Sequence, residues 1–143
     1  MSKILISFIL LVSFLNAADK KSNWTHQYTY KLKKDEVAVI GINASGVEKD
    51  KFFFRWTSII KDRVTTLVNH QGYPHQYILY KKRSLDRAKF YLLPDGSNRI
   101  ENRTYLLLVL SDIDKGNKEV SFDIFIKDNK SRILVDFGEK NEK

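Results

Sequence analysis

Side chains able to do chemistry are few in this chain, and they do not fall into catalytic spacings. The three histidines are His26, His70 and His75. His70 and His75 flank Gln71-Gly72-Tyr73-Pro74, so a hairpin there would bring them face to face near the turn. A zinc site would still need a third protein ligand, and no H-E-x-x-H or His-x-His spacing supplies one. Asp112 and Asp114 open a stretch with the carboxylate spacing of a calcium loop, and Asp123 stands at its terminal position. The match fails because Gly116 occupies the place of the fifth-position ligand and Asn117 that of the sixth-position glycine. No metal site is expected. No G-x-S-x-G nucleophile elbow occurs, and most acids neighbour Lys or Arg in turn-like stretches, where exposure leaves carboxylates ordinary. The expectation is a protein that is not an enzyme and carries no cofactor.

The remaining chemistry is recognition. Around the Gly72-Tyr73-Pro74 turn stand Tyr73, His75, Tyr77, Tyr80, Lys81, Lys82 and Arg83. Aromatic faces beside hydrogen-bond donors can stack on a sugar ring or hold an acidic polymer, and loops on a rigid scaffold are where such sites sit. These seven residues form the expected ligand-binding surface.

Composition bounds what that ligand is. Lys and Arg number 25 against 17 Asp and Glu, a net charge of +8. The cations are scattered through every turn instead of concentrated in one block, which argues against nucleic acid and for an envelope protein or an acidic glycan or lipid surface. Residues 1–17 have the form of a secretory signal peptide: Lys3, an apolar run from Ile4 to Leu15, and cleavage after Ala17. That run falls well short of the ~20 residues a membrane-spanning helix needs, and no longer apolar stretch follows, so no transmembrane segment is expected in the mature chain. Cysteine is absent, which rules out a disulfide framework. An exported chain without disulfides, rich in Lys, Asn, Ile, Phe and Tyr, suggests a bacterial protein, periplasmic or secreted.

The elements that would position these side chains read as strands. Trp24 to Leu32 alternates apolar and polar, and Phe52 to Ile60, dense in aromatics, Arg63 to His70, His75 to Lys82 and Val120 to Lys127 are further strand-like runs. Glu36 to Ile42 and Thr104 to Leu110 are apolar on both parities, as expected of central strands. Ala88 to Leu93 and Ile133 to Phe137 complete the set. Lys61-Asp62, Gln71-Gly72-Tyr73-Pro74 and Pro94-Asp95-Gly96-Ser97-Asn98 read as turns, and Ser111 to Lys118 as a loop. The block from Lys51 to Arg83 holds three consecutive strands and is expected to anchor the fold. No helical period appears after the leader. Eight or nine short strands at this spacing predict an all-β single antiparallel β-sandwich or jelly-roll-like domain over residues 18–138, followed by a charged tail at 139–143. The function class that fits is an exported, non-catalytic sandwich binding a cell-envelope component: a glycan, an acidic polymer or a protein partner. The alternatives are a small periplasmic hydrolase and a structural or assembly subunit that pairs through a strand edge.

Overall fold

The computed structural model describes residues 23–44, 49–82, 84–93 and 103–138. The expected leader at 1–17, the turn at 94–98, Arg83 and the tail at 139–143 lie outside these residues. Nine strands follow in order: β1 (His26–Lys33), β2 (Ala38–Ala44), β3 (Asp50–Ile60), β4 (Arg63–His70), β5 (Tyr73–Tyr80), β6 (Arg87–Tyr91), β7 (Tyr105–Asp114), β8 (Glu119–Lys127) and β9 (Ile133–Phe137). They form two antiparallel sheets, one of four strands in the order β1-β8-β7-β6 and one of five in the order β5-β4-β3-β2-β9. The sheets pack face to face, as the sandwich expectation required. Among the described residues no helix is long and apolar enough to cross a membrane.

Alternation decides which side chains fill the space between the sheets, because successive strand residues point to opposite faces. Tyr30 and Leu32 of β1, Phe122, Ile124 and Ile126 of β8, and Leu106 and Leu108 of β7 are buried from one sheet. Ala38 and Ile40 of β2, Phe52, Phe54 and Trp56 of β3, and Val64 and Val68 of β4 are buried from the other. Rings interlock across the gap. Phe54 meets Tyr30 at 5.5 Å and Phe122 at 5.4 Å, and Phe52 meets Phe90 at 4.9 Å, all close to edge-to-face, the geometry that ring quadrupoles favour.

Polar bonds close the sandwich at several points. Trp56 Nε1 of β3 donates to the Leu32 carbonyl of β1 at 2.8 Å and so ties one sheet to the other. The Tyr30 hydroxyl reaches the Val39 and Gly138 carbonyls at 3.2 and 3.3 Å, and burial raises its pKa well above the usual phenol range. The buried carboxylate of Asp128 accepts from Thr104 Oγ1 at 3.0 Å and from the Ile133 N–H at 2.9 Å, which anchors the start of β9.

Turn chemistry departs from expectation in one place. Gln71 (φ 52°) and Gly72 (φ 78°) both take positive φ, and His70 pairs directly with Tyr73. The connection is therefore a two-residue hairpin of the primed kind, and Tyr73 and Pro74 belong to β5. Pro74 is tolerated because β5 is an edge strand. The Lys61-Asp62 hairpin is as expected, with Ile60 opposite Arg63. The loop expected at 111–118 is shorter, because β7 runs on through Asp114.

Trp56→Ala should cost about 3–5 kcal/mol in urea denaturation, the scale of a large-to-small change in a core. Trp56→Phe, which keeps a ring and leaves the Leu32 carbonyl without its donor, should cost about 1–3 kcal/mol. A Trp56→Ala loss under ~1 kcal/mol would remove Trp56 from the core altogether.

Candidate functional site

Three turns far apart in sequence meet at one end of the sandwich: residues 34–37 between β1 and β2, Lys61-Asp62 between β3 and β4, and residues 115–118 between β7 and β8. Between them lies a cleft of about 340 Å³ lined by Lys34, Lys61, Lys115, Lys118, Trp56 and Ile59. Trp56 is buried and Ile59 half-buried, while all four lysines are exposed. The cleft thus has an apolar floor and an ammonium rim, and the lysine stems extend the apolar surface upward.

A bulge makes the floor. The β3–β4 register shifts between Trp56 and Ser58, so Trp56 lies opposite Thr66 while Ile59 lies opposite Val64. Thr57 is the extra residue, and the parity of β3 inverts after it. Ile59 therefore points to the same face as Trp56. β7 carries a matching shift between Leu110 and Asp112 that turns Ile113 inward opposite Val120. Bulges commonly re-aim side chains at the rim of a sheet in this way.

The acids of this end are engaged elsewhere. Asp35 lies 3.9 Å from Arg55 and Asp62 3.9 Å from Lys82. Glu36 accepts from the Lys33 N–H at 2.6 Å. Asp112 pairs with Lys81 at 2.6 Å, and its carboxyl is held below the usual range by that hydrogen bond first and by the Ile113 N–H second. Asp114 is likewise lowered, by the Asn117 backbone N–H and then by its carboxamide. Lys34, Lys61, Lys115 and Lys118 have no ion-pair partner among the described residues. Four like charges around one cleft repel one another, and an anion entering it relieves that repulsion. Lys61 (φ 58°) and Lys118 (φ 52°) also hold left-handed backbone conformations, where Gly or Asn would cost less.

The seven residues expected to form a ligand surface do not share one face. Tyr73, His75 and Tyr77 lie on the core-facing side of β5, opposite His70, Val68 and Thr66. The opposing sheet reaches only Tyr77, through Phe90 at 5.3 Å, which leaves His75 exposed and Tyr73 69% exposed. Tyr80 falls on the other face. Lys81 and Lys82 follow the strand and are already paired with Asp112 and Asp62. Arg83 lies outside the described residues. His70 and His75 do not meet either: His70 is buried, its Nε2 donating to the Tyr91 carbonyl at 2.9 Å, while His75 faces solvent. Among the described residues no group of three His, Asp or Glu is placed to hold a metal.

One hydrolytic string escaped the reading of the sequence. Ser58-Ile59-Ile60-Lys61 is a Ser-x-x-Lys spacing, which on a helix would set lysine beside serine one turn away. Here it runs along an extended strand into a turn, and Ser58 Oγ donates to Thr65 Oγ1 at 2.9 Å. Lys61 lines the cleft instead.

Tyr73→Ala should leave the melting temperature nearly unchanged, whereas Leu79→Ala in the same strand, at a buried position, should cost about 2–5 kcal/mol. Differential scanning calorimetry of the two variants measures both, and a large loss for Tyr73→Ala would assign that ring to packing. No protein-family model, no curated protein and no solved structure matches the chain, so its function is argued from its own residues.

Proposed function

We propose that this protein is an exported, non-catalytic binding module that holds an acidic, phosphate-bearing polymer or glycan of the bacterial cell envelope at the four-lysine cleft. The observation that carries the proposal is the local imbalance of charge: Lys34, Lys61, Lys115 and Lys118 around one apolar-floored cleft, with the neighbouring acids satisfied by other partners. The leader-like residues 1–17 and the net charge of +8 support the same reading.

Magnitudes favour a polymer over a small anion. An exposed ion pair contributes about 0.2–1 kcal/mol, so four of them hold a single anion no more tightly than about millimolar. A chain with repeated anions can engage several ammoniums at once, and each added contact then acts intramolecularly. Surface attraction of this kind is screened by salt.

Long-chain polyphosphate serves as the probe. It should bind at least ~10-fold more tightly than pyrophosphate, with affinity falling as salt is raised. The double charge reversal Lys34→Glu, Lys118→Glu should abolish most of that binding while leaving the melting temperature close to that of the parent. Equal binding by parent and variant in isothermal titration calorimetry would overturn the assignment.

A second reading, assembly through a strand edge, is favoured by β5. It is an eight-residue edge strand, YPHQYILY, without a formal charge apart from its titratable histidine. Edge strands are usually blunted by charges, bulges or shortness. β6 is five residues long with Arg87 and Lys89, β9 is five residues long with Asp136, and β1 carries Lys31 and Lys33; β5 has only Pro74. The Tyr80 N–H is bonded to the Leu85 carbonyl at 2.9 Å, so residues of that parity, Gln76 and Ile78, turn their N–H groups away from β4. Ile78 is 50% exposed. If β5 mediates assembly, Ile78→Lys should shift sedimentation velocity toward the monomer; a parent that is monomeric at every concentration tested would remove this reading.

A further inference from the structure

The outward face of the four-stranded sheet carries a second site, remote in kind from the lysine cleft. On it Gln27 lies opposite Phe125 and Thr29 opposite Asp123, across the β1–β8 pair. These residues and Tyr28 line a shallow recess of about 400 Å³. Phe125 is backed by Trp24, whose ring centroid lies 5.3 Å away at a tilt of 36°. Trp24 also meets Tyr105 edge-on at 5.9 Å. Tyr28 completes the lining of the recess, but its ring has core-face parity and stacks on Phe137 of the other sheet at 5.0 Å.

The polar groups here differ from those of an ordinary solvated face. Asp123 sits in the interior of an eight-residue antiparallel ladder between β1 and β8, a position that aspartate disfavours. Among the described residues it has no ion-pair partner. Thr29 Oγ1 donates to Asp123 Oδ1 at 2.7 Å, which fixes the carboxylate and leaves Oδ2 able to accept from a ligand donor. The Gln27 carboxamide, one parity step along the same face, offers both a donor and an acceptor. A fixed carboxylate, a carboxamide and a hydroxyl beside an aromatic wall are complementary to a polyhydroxylated ring. Its apolar C–H face stacks on the aromatic surface, and adjacent hydroxyls donate to the carboxylate.

We propose that this recess binds a neutral saccharide unit, stacked on Phe125 with Trp24 behind it and hydrogen-bonded by Asp123 and Gln27. The site does not depend on the lysine cleft: the two share no lining residue.

Isothermal titration calorimetry with N-acetylchitotetraose, cellotetraose and maltotetraose tests the proposal. At least one should bind saturably, with a change in tryptophan emission that disappears in Trp24→Phe. Asp123→Asn, a surface change that keeps size and shape, should weaken binding about tenfold or more, the scale of a lost charge-assisted hydrogen bond. The Lys34→Glu, Lys118→Glu protein should bind the same sugar as the parent does, even where it has lost polyphosphate. Failure of all three sugars to bind overturns the proposal. So does binding that survives both Asp123→Asn and Phe125→Ala, or that is lost with the lysines.

Discussion

The indole of Trp56 is the joint on which this sandwich turns. Two sheets held only by apolar contact can slide and splay with little directional penalty. The bond from Trp56 Nε1 to the Leu32 carbonyl, with that from the Asp35 N–H to the Trp56 carbonyl at 3.0 Å, fixes how the end of β3 sits over the end of β1. The same ring is the floor of the lysine cleft. The ring that packs the core thus also forms the floor of the cleft, so a ligand held there would rest on a fixed surface. A preorganised floor of this sort lowers the ordering cost that binding would otherwise carry.

Charge in this protein is arranged by position more than by amount. Acids and bases alternate through the turns, yet at the cleft end several acids are drawn to neighbours: Asp35 to Arg55, Asp62 to Lys82, Asp112 to Lys81, Asp114 to Asn117. The lowered carboxyls of Asp112 and Asp114 remain ionised and locally satisfied at neutral pH. What is left over is cationic and concentrated. On the outward face of the other sheet Asp123 accepts from Thr29 Oγ1 and lines a recess with Gln27 and Phe125.

Much of the fold was legible because a half-buried strand announces itself by alternation. Tyr30 and Leu32, Phe52 and Phe54, and Phe122, Ile124 and Ile126 fall on the core face as their parity requires. Local pattern loses its meaning at a bulge. Nothing in Trp56-Thr57-Ser58 marks the register shift that swings Ile59 inward, and Leu110-Ser111-Asp112 hides a similar one. The lysine cleft was invisible for a further reason: its four lysines come from three turns and its floor from β3, and only the pairing of β1 with β8 and the stacking of β3 over β1 bring them together. The Tyr73 to Arg83 stretch shows the converse. Proximity in sequence suggested one surface, but strand parity divides Tyr73, His75 and Tyr77 from Tyr80. Phe125 and Asp123 could be placed on the face opposite Ile124, yet which face of that sheet stays open follows from strand order, a property no single strand encodes.

The contact between the first and last strands has a consequence for how the domain can be used. Tyr28 of β1 stacks on Phe137 of β9, and the Tyr30 hydroxyl reaches the Gly138 carbonyl. The point where the described polypeptide enters the sandwich and the point where it leaves are therefore neighbours, joined by side chains and not by a ladder. Such a unit can be spliced into a loop of a larger host, or have its ends joined and be reopened at the Lys61-Asp62 or Gln71-Gly72 hairpin, without unthreading either sheet. Geometry of this kind makes it a portable module, suited to display on a scaffold as much as to life as a free-standing protein.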